Sequence, residues 1–459
     1  MKRISKTLLG SMIVLVATLQ GCASLDPRPD YQEVGRLVAR ATGHPELGLP
    51  GDERDAEGQV SKILEGGLTA DESVAIALRH SPRLRAVLLD AGISRAEFAQ
   101  ASFPENPSLA MALRFPSGGG SANLEASLLQ NVAELWRLPS RRRASEASLR
   151  RAIVAVAREV SGLAYGAKAA YVRAAAGDRL ATIASENREI AARFLELALA
   201  RRKGGEGSGI DVGFARAELS SAEVALRSAS LAAFERRAEL AGRLGLITPP
   251  AELVLSESLS RPDATPPALE EVLARIPHGR LDIAAARRAV EAAQATLRYE
   301  RLGFLSLLGL GAAYERPEER TGEGGGSSGA ILGPSLALEI PLFDQNRAQI
   351  AKAALAHRQA EELLSALLVE ATQATRAAHE RLASTLAVCR LYEAEILPER
   401  EQNLELVRQA YRAGELPIAS MLEAQRSLLG ARVEFARALE EAALASIEFE
   451  RVTGRPAQG

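Results

Sequence analysis

Residues 68–115 read LTADESVAIALRHSPRLRAVLLDAGISRAEFAQASFPENPSLAMALRF, and residues 268–315 read ALEEVLARIPHGRLDIAAARRAVEAAQATLRYERLGFLSLLGLGAAYE. Each opens with apolar residues at helical spacing and predicts one amphipathic helix of roughly thirty residues running into a short strand. A second match lies downstream. GGEGSGIDVGFARAELSSAEVAL (204–226) aligns with AGELPIASMLEAQRSLLGARVEF (413–435), placing Gly205 on Gly414, Asp211 on Ser420 and Leu219 on Leu428, an offset of 209 (414 − 205). Repetition at this scale means that one structural plan is used twice. The chain divides into a leader (1–21), an N-terminal extension (22–66), a first repeat (67–247), a Pro-rich linker (248–267), a second repeat (268–455) and a tail (456–459).

Within each repeat the order is helix, two strands, a very long helix, a tight Gly turn and a helix back. The strands are predicted at Ser108–Phe115 and Asn123–Val132, then at Leu302–Tyr314 and Leu332–Phe343. Leu336, Leu338, Ile340 and Leu342 alternate with small or polar residues, so that strand has one apolar face. A length of about ten residues is what a tilted membrane strand needs. The long helices are predicted from Ser140 to Lys203 and from Asn346 to Ala413, each on the order of 95–100 Å. Ile183, Ile190 and Leu197 recur at heptad spacing, as do Leu397, Leu404 and Tyr411, which predicts helix-on-helix packing; Pro398 should kink the second long helix.

The N-terminus reads as a processing signal. Met1-Lys2-Arg3 and Lys6 precede a short apolar stretch, Leu8 to Thr18, too short to span a bilayer as a helix. It ends in Leu19-Gln20-Gly21-Cys22, similar to a bacterial lipobox, which makes Cys22 the lipidation site; Ala23 after it favours sorting to the outer membrane. With Cys22 acylated, Cys389 has no disulfide partner and reads as a small buried residue. A net charge of −2 with 25% charged residues gives no basic face for nucleic acid. Four Met and five His without clustering, His357 and His379 being far apart on one helix, give no metal site. GGEGSG lacks the Lys-Ser/Thr of a phosphate loop, and no GxSxG or HExxH occurs, so neither an enzyme nor a cofactor is predicted.

Four strands cannot close a barrel, and lipid does not tolerate an open sheet edge. The reading therefore requires other protomers, three copies supplying twelve strands. Phe103, Phe115, Trp136, Phe304, Tyr314 and Phe343 flank the strands as interfacial aromatics would. The fold class is mainly α with a small β-barrel contribution: a long α-helical barrel plus four strands per protomer, in two repeats, closed as a homotrimer. The rival is a periplasmic coiled-coil lipoprotein, either a scaffold or a pump adaptor, which would not need two inserted hairpins.

Those segments, together with PENPSL, SLLQNVAELWRLPSRRR, IPLFDQNRAQIAKAALAHRQAE, ILPEREQNLELVRQAYRAGELPIASMLEAQRSLLGAR and the closing FERVTG, resemble the TolC-like outer-membrane efflux family over nearly the whole mature chain. PLFDQNRAQIAKA is most similar to the heavy-metal branch, the cobalt–zinc–cadmium and copper–silver channel proteins. The resemblance implies a trimer in the outer membrane with a long periplasmic α-barrel. Its implied partners are a periplasmic adaptor and an inner-membrane pump of the resistance-nodulation-division type, and its role is that of a passive conduit.

The resemblance also implies roles for particular residues. Gly205 and Gly414 fall at the tips that dock the adaptor. Asp211 and Tyr411 fall on positions that hydrogen-bond across the closed end, where Leu416 replaces the usual Arg. Glu423 falls on the inner acidic ring, and Ser420 replaces the outer acid. Three Glu423 side chains would concentrate negative potential and favour cations. Each has a plainer alternative: Glu423 as a solvated helix face, Asp211 as a helix-start residue satisfying free amides. Arg141-Arg142-Arg143, just after the second strand, suit phosphates of the inner leaflet or a solvated helix start.

Overall fold

The computed structural model describes residues 24–51, 60, 63–115, 122–205, 207–262, 266–304, 308–316 and 329–454. Cys22 lies outside the described residues. Two compact units are present: one combines 1–30, 91–153 and 286–364, the other 31–90, 154–285 and 365–459.

The first unit holds the sheet. β1 (Ser108–Arg114), β2 (Asn123–Asn131), β3 (Leu308–Arg316) and β4 (Ile331–Leu338) form one antiparallel sheet in sequence order. β3 starts at Leu308, not Leu302, because Arg301–Phe304 form turns closing the preceding helix. β4 ends at Leu338, five residues short of Phe343. Ile340, Leu342 and Phe343 continue the apolar pattern on exposed chain outside the ladder. An alternating pattern describes side-chain placement and cannot by itself mark where strand pairing stops.

The helices repeat. α1 (Arg28–Thr42) precedes the duplicated part; α2 (Ala70–His80) and α3 (Pro82–Ser102) lead into the first hairpin, and α4 (Val132–Lys203) and α5 (Gly209–Leu244) follow it. In the second half the order is α6 (Leu269–Gly279), α7 (Leu281–Glu300), the hairpin, α8 (Arg347–Leu391), α9 (Leu397–Arg412) and α10 (Ile418–Thr453). Each predicted thirty-residue helix is thus two helices. Pro82 breaks the first, lacking an amide to continue it. Arg280 breaks the second, its extended backbone held by a side chain bonded to Asp282 and to the Val452 carbonyl.

α5 and α10 are each 36 residues long and separated by the same 209 positions (418 − 209). Both end at a left-handed glycine, Gly245 (φ 75°) and Gly454 (φ 71°). A Cβ at Gly245 would lie 2.5 Å from the Pro82 ring, and one at Gly454 2.4 Å from the Gly279 carbonyl oxygen. Glycine is required at both helix ends by conformation and by space.

α4 begins at Val132, eight residues before the predicted Ser140, and continues through Pro139. An interior proline costs about 3 kcal/mol. Local contacts offset it: Ala133 is buried, and buried Glu134 binds Arg137 at 2.5 Å and Arg141 at 3.2 Å. At Pro398 the other long helix runs on through a π-turn, Tyr392–Ile396. There the Leu397 amide reaches back to the Tyr392 carbonyl just before the missing proline donor.

The second unit's core has the same plan in each repeat, one short helix packed over a long helical pair. Ile76, Tyr171, Leu240 and Leu244 are buried in the first repeat; Val272, Leu382, Leu386 and Leu439 are buried in the second. Alanines such as Ala170, Ala174 and Ala442 let these helices approach closely. Cys389 is fully buried and unpaired, and burial pushes its thiol pKa up.

Candidate channel wall and helix-turn site

The strand register sorts the sheet into two faces. Leu109 pairs with Leu128, Met111 with Ala126 and Leu113 with Leu124. Across β3 and β4, Leu310 pairs with Leu336, Tyr314 with Leu332 and Leu308 with Leu338. All stand on one face, where Leu109, Met111, Leu332 and Leu336 are 66–74% exposed. Gln130 and Arg316 stand at the ends of this face, and the apolar band between them is what a membrane wall presents to lipid.

The other face carries Ser108, Asn123, Glu125, Ser127, Gly311, Glu315 and Ala337. Arg114 binds Glu125 at 2.7 Å there, and Asn123 donates to Glu315 at 3.4 Å. Within this chain β1 and β4 each have one paired edge only. Trp136 meets Phe304 edge-on at 6.5 Å, and Phe103, Phe115 and Phe343 are exposed.

The basic run after β2 does not lie free. Arg141 donates to the Ala101 and Phe103 carbonyls and pairs with Glu134, while Arg142 stands over the Phe98 ring at 5.9 Å. These contacts tie α3 to α4, while Arg142 and Arg143 are both exposed.

At the helix turns, Gly205 (φ 82°) and Gly414 (φ 79°) adopt the same left-handed conformation in the two repeats. Asp211 is the third residue of α5 and completes a capping box with Ser208. The Ser208 amide donates to its carboxylate at 3.0 Å, and its own amide donates to Ser208 Oγ at 3.1 Å. The helix-start role of Asp211 is therefore occupied. The counterpart of Ser208 is Pro417, which caps α10 without a side-chain bond.

Tyr411 is 5% exposed, packed with Phe194, Val212, Ile418 and Met421, and the Arg201 guanidinium lies 4.9 Å from its ring centre. The structure thus gathers Tyr411 and the first turn of α5 into one cluster, although no Asp211–Tyr411 hydrogen bond occurs among the described residues. Glu423 is exposed on α10, one turn from Arg426. Sequence reading missed Glu218, a buried carboxylate bound to Arg426 at 2.5 Å and 3.0 Å, which ties α5 to α10. It also missed Lys168–Glu450 at 2.9 Å, which links the first repeat to the second. A charged residue on the buried stripe of each helix was the available signal. Among the described residues, no helix is long and apolar enough to cross a membrane.

The family described as "Outer membrane efflux protein" matches residues 272–455. The cobalt-zinc-cadmium resistance protein CzcC of Cupriavidus metallidurans is 26% identical over 275 residues, 60% of this chain and 63% of that relative. Protein CyaE of Bordetella pertussis is 30% identical over 407 residues, 84% of each chain. Among solved structures, CusC superposes with a TM-score of 0.66 (16% identity; 84% of this chain, 92% of that one). The open-state MtrE outer membrane channel of Neisseria gonorrhoeae superposes with a TM-score of 0.68 (20% identity; 85% and 91%). The two-faced sheet, the duplicated helical plan and these relatives agree that the chain belongs to the outer membrane efflux protein family, as a channel component of the outer membrane and not an enzyme.

Proposed function

We propose that three copies of this chain close a twelve-strand barrel and form the passive outer-membrane conduit of a tripartite efflux system. The sheet carries the argument. Its apolar face is already dressed for hydrocarbon, while its two outer strands still need partners. A sister copy on each side supplies those bonds and leaves the polar face lining the pore.

Within that assembly Cys22 is the lipid anchor, and the Gly205 and Gly414 turns receive a periplasmic adaptor. The inner-membrane pump is of the resistance-nodulation-division type, and the cargo includes metal cations, as the name of the CzcC relative suggests. Asp211 and Tyr411 meet across protomers at the closed end, with Leu416 loosening that contact. Three Glu423 carboxylates ring the opening and favour cations.

Two measurements test this reading. Mass determination in mild detergent should give three protomers; a stable monomer with intact β-structure refutes the assembly. Replacing Glu423 by Gln should lower the cation preference read from the reversal potential of the reconstituted pore. An unchanged reversal potential removes Glu423 from the filter while leaving the trimer standing.

A further inference from the structure

A cavity of about 860 Å³ in the helical unit is used by none of the channel features described above. The first turns of α3 and α7 line it, with one face of α4 and the ends of α5 and α10. Gly162 and Gly242 leave part of its wall without side chains, since a Cβ at either position would meet nothing within 4 Å. That volume falls within the range of small-ligand pockets, about 300–1,000 Å³.

Its charges do not cancel. Arg280 is 9% exposed and held by Asp282 at 3.0 and 2.7 Å and by the Val452 carbonyl at 3.1 Å. Burial pushes the Asp282 carboxyl pKa up, but the Arg280 hydrogen bonds and charge outweigh it, so the group stays ionised below its usual range. Arg243 is matched by Glu239 at 3.1 Å, and Arg451 by Glu448 at 2.7 Å. Arg83 and Arg158 are left exposed, without an ion pair among the described residues, though Arg158 also helps keep Asp282 ionised; Glu159 is the one unmatched lining carboxylate, so one positive charge is in surplus. The first turn of α3 carries no acid, so its free amides add positive potential.

The duplication does not account for this surplus. Arg83 is the second residue of α3 and Asp282 the second of its counterpart α7, and Arg451 stands where the first repeat has Gly242 (451 − 209). The same backbone is built with a carboxylate or no side chain at these positions, so the fold does not demand the cations.

We propose that this cavity binds a phosphate-class anion, contacted by Arg83 and Arg158 and backed by the fixed Arg280. Guanidinium forks match phosphate oxygens in pairs, which a halide cannot reproduce. The phosphate belongs either to a free anion or to a lipid headgroup.

Equilibrium dialysis of the full-length, detergent-solubilised protein against labelled pyrophosphate at constant ionic strength tests the site. Saturable binding is expected, weakened about tenfold by Arg83→Gln or Arg158→Gln and about a hundredfold by both together. Arg193→Gln, at an exposed pair with Glu189 on α4, should bind as the parent does. Circular dichroism and oligomer mass confirm that the variants fold. Absence of saturable binding in the parent, parental binding by the double variant, or equal loss in Arg193→Gln overturns the site. Competition identifies the source: displacement by short-chain phosphatidate but not orthophosphate marks a headgroup, and displacement by both marks the free anion.

Discussion

Leu336 and Ala337 are neighbours on β4 with opposite surroundings, and replacing each by Arg tests the face assignment directly. Leu336 is 67% exposed on the apolar face, opposite Leu310; Ala337 faces the polar side, opposite Gly309. Leu336 lies about 5 Å along the strand from its centre, at about 3.3 Å per residue, which places it inside the hydrocarbon layer. An arginine on the lipid face near mid-depth costs about 2–4 kcal/mol. Three copies act in one assembly, so Leu336→Arg should cost about 6–12 kcal/mol per trimer, comparable to the whole stability of many domains. Ala337→Arg exchanges a small group for a hydrated one and should cost little. Folding into phospholipid vesicles, followed by heat-modifiable migration and urea titration, reads the difference. Leu336→Arg should fail to yield trimer at urea concentrations where Ala337→Arg does. Equal tolerance, or a greater loss for Ala337→Arg, refutes the orientation of the sheet and the barrel built on it.

Two further outcomes concern the helical unit. Gly454→Ala places a methyl against the Gly279 carbonyl at a left-handed residue, so its melting temperature should fall by an amount equivalent to about 1–3 kcal/mol. Gly430→Ala, in the interior of α10 with open space around it, should instead gain up to about 1 kcal/mol. Tyr171 donates to the Leu68 carbonyl at 2.9 Å and accepts from the Glu257 amide, and burial pushes its hydroxyl pKa up to about 12. A raised folded-state value means that stability is fully present below the unfolded value near 10 and is lost as pH rises toward 12. Chemical denaturation should show that loss between pH 10 and 12, and Tyr171→Phe should flatten it; an unaltered slope refutes the assignment.

The duplicated plan, the hairpins and the Gly turns were legible because each rests on local chemistry. Period-2 and period-3.6 patterns, helix-breaking residues and the left-handed preference of Gly205 and Gly414 all act within a few positions. What was misplaced depends on side-chain contacts and strand pairing that residue patterns do not encode. The predicted start at Ser140 lies eight residues late, because pairs that Glu134 makes with Arg137 and Arg141 carry α4 through Pro139. Ile340 and Leu342 looked like strand because alternation continues where pairing has ended. At the helix turns, the sequence pointed to Asp211 but not to its partner Ser208. The Glu218–Arg426 pair spans 208 residues, so the buried stripe marks Glu218 but does not name its partner.

The two repeats share a backbone and differ in what they show outward, and a three-fold ring gives a reason. Ile210, Phe214, Val224 and Leu231 on α5 are 54–70% exposed and keep roughly heptad spacing. Their counterparts on α10, 209 positions on, are Ala419, Glu423, Val433 and Glu440; Glu423 is exposed, whereas Glu440 turns inward to Arg236 at 3.1 Å. Three identical protomers present six such helical hairpins, so each hairpin of one kind has neighbours of the other kind. Identical repeats would let the ring close in either register, and also as an assembly with the repeats out of phase. An apolar seam on one repeat and the exposed Glu423 at a matching position of the other remove that ambiguity, because a mis-set register buries Glu423 without a partner. In the proposed trimer, divergence of the outer faces over a shared core then fixes the order of hairpins around the ring, and the Glu423 charge proposed to favour cations would also disfavour the wrong register.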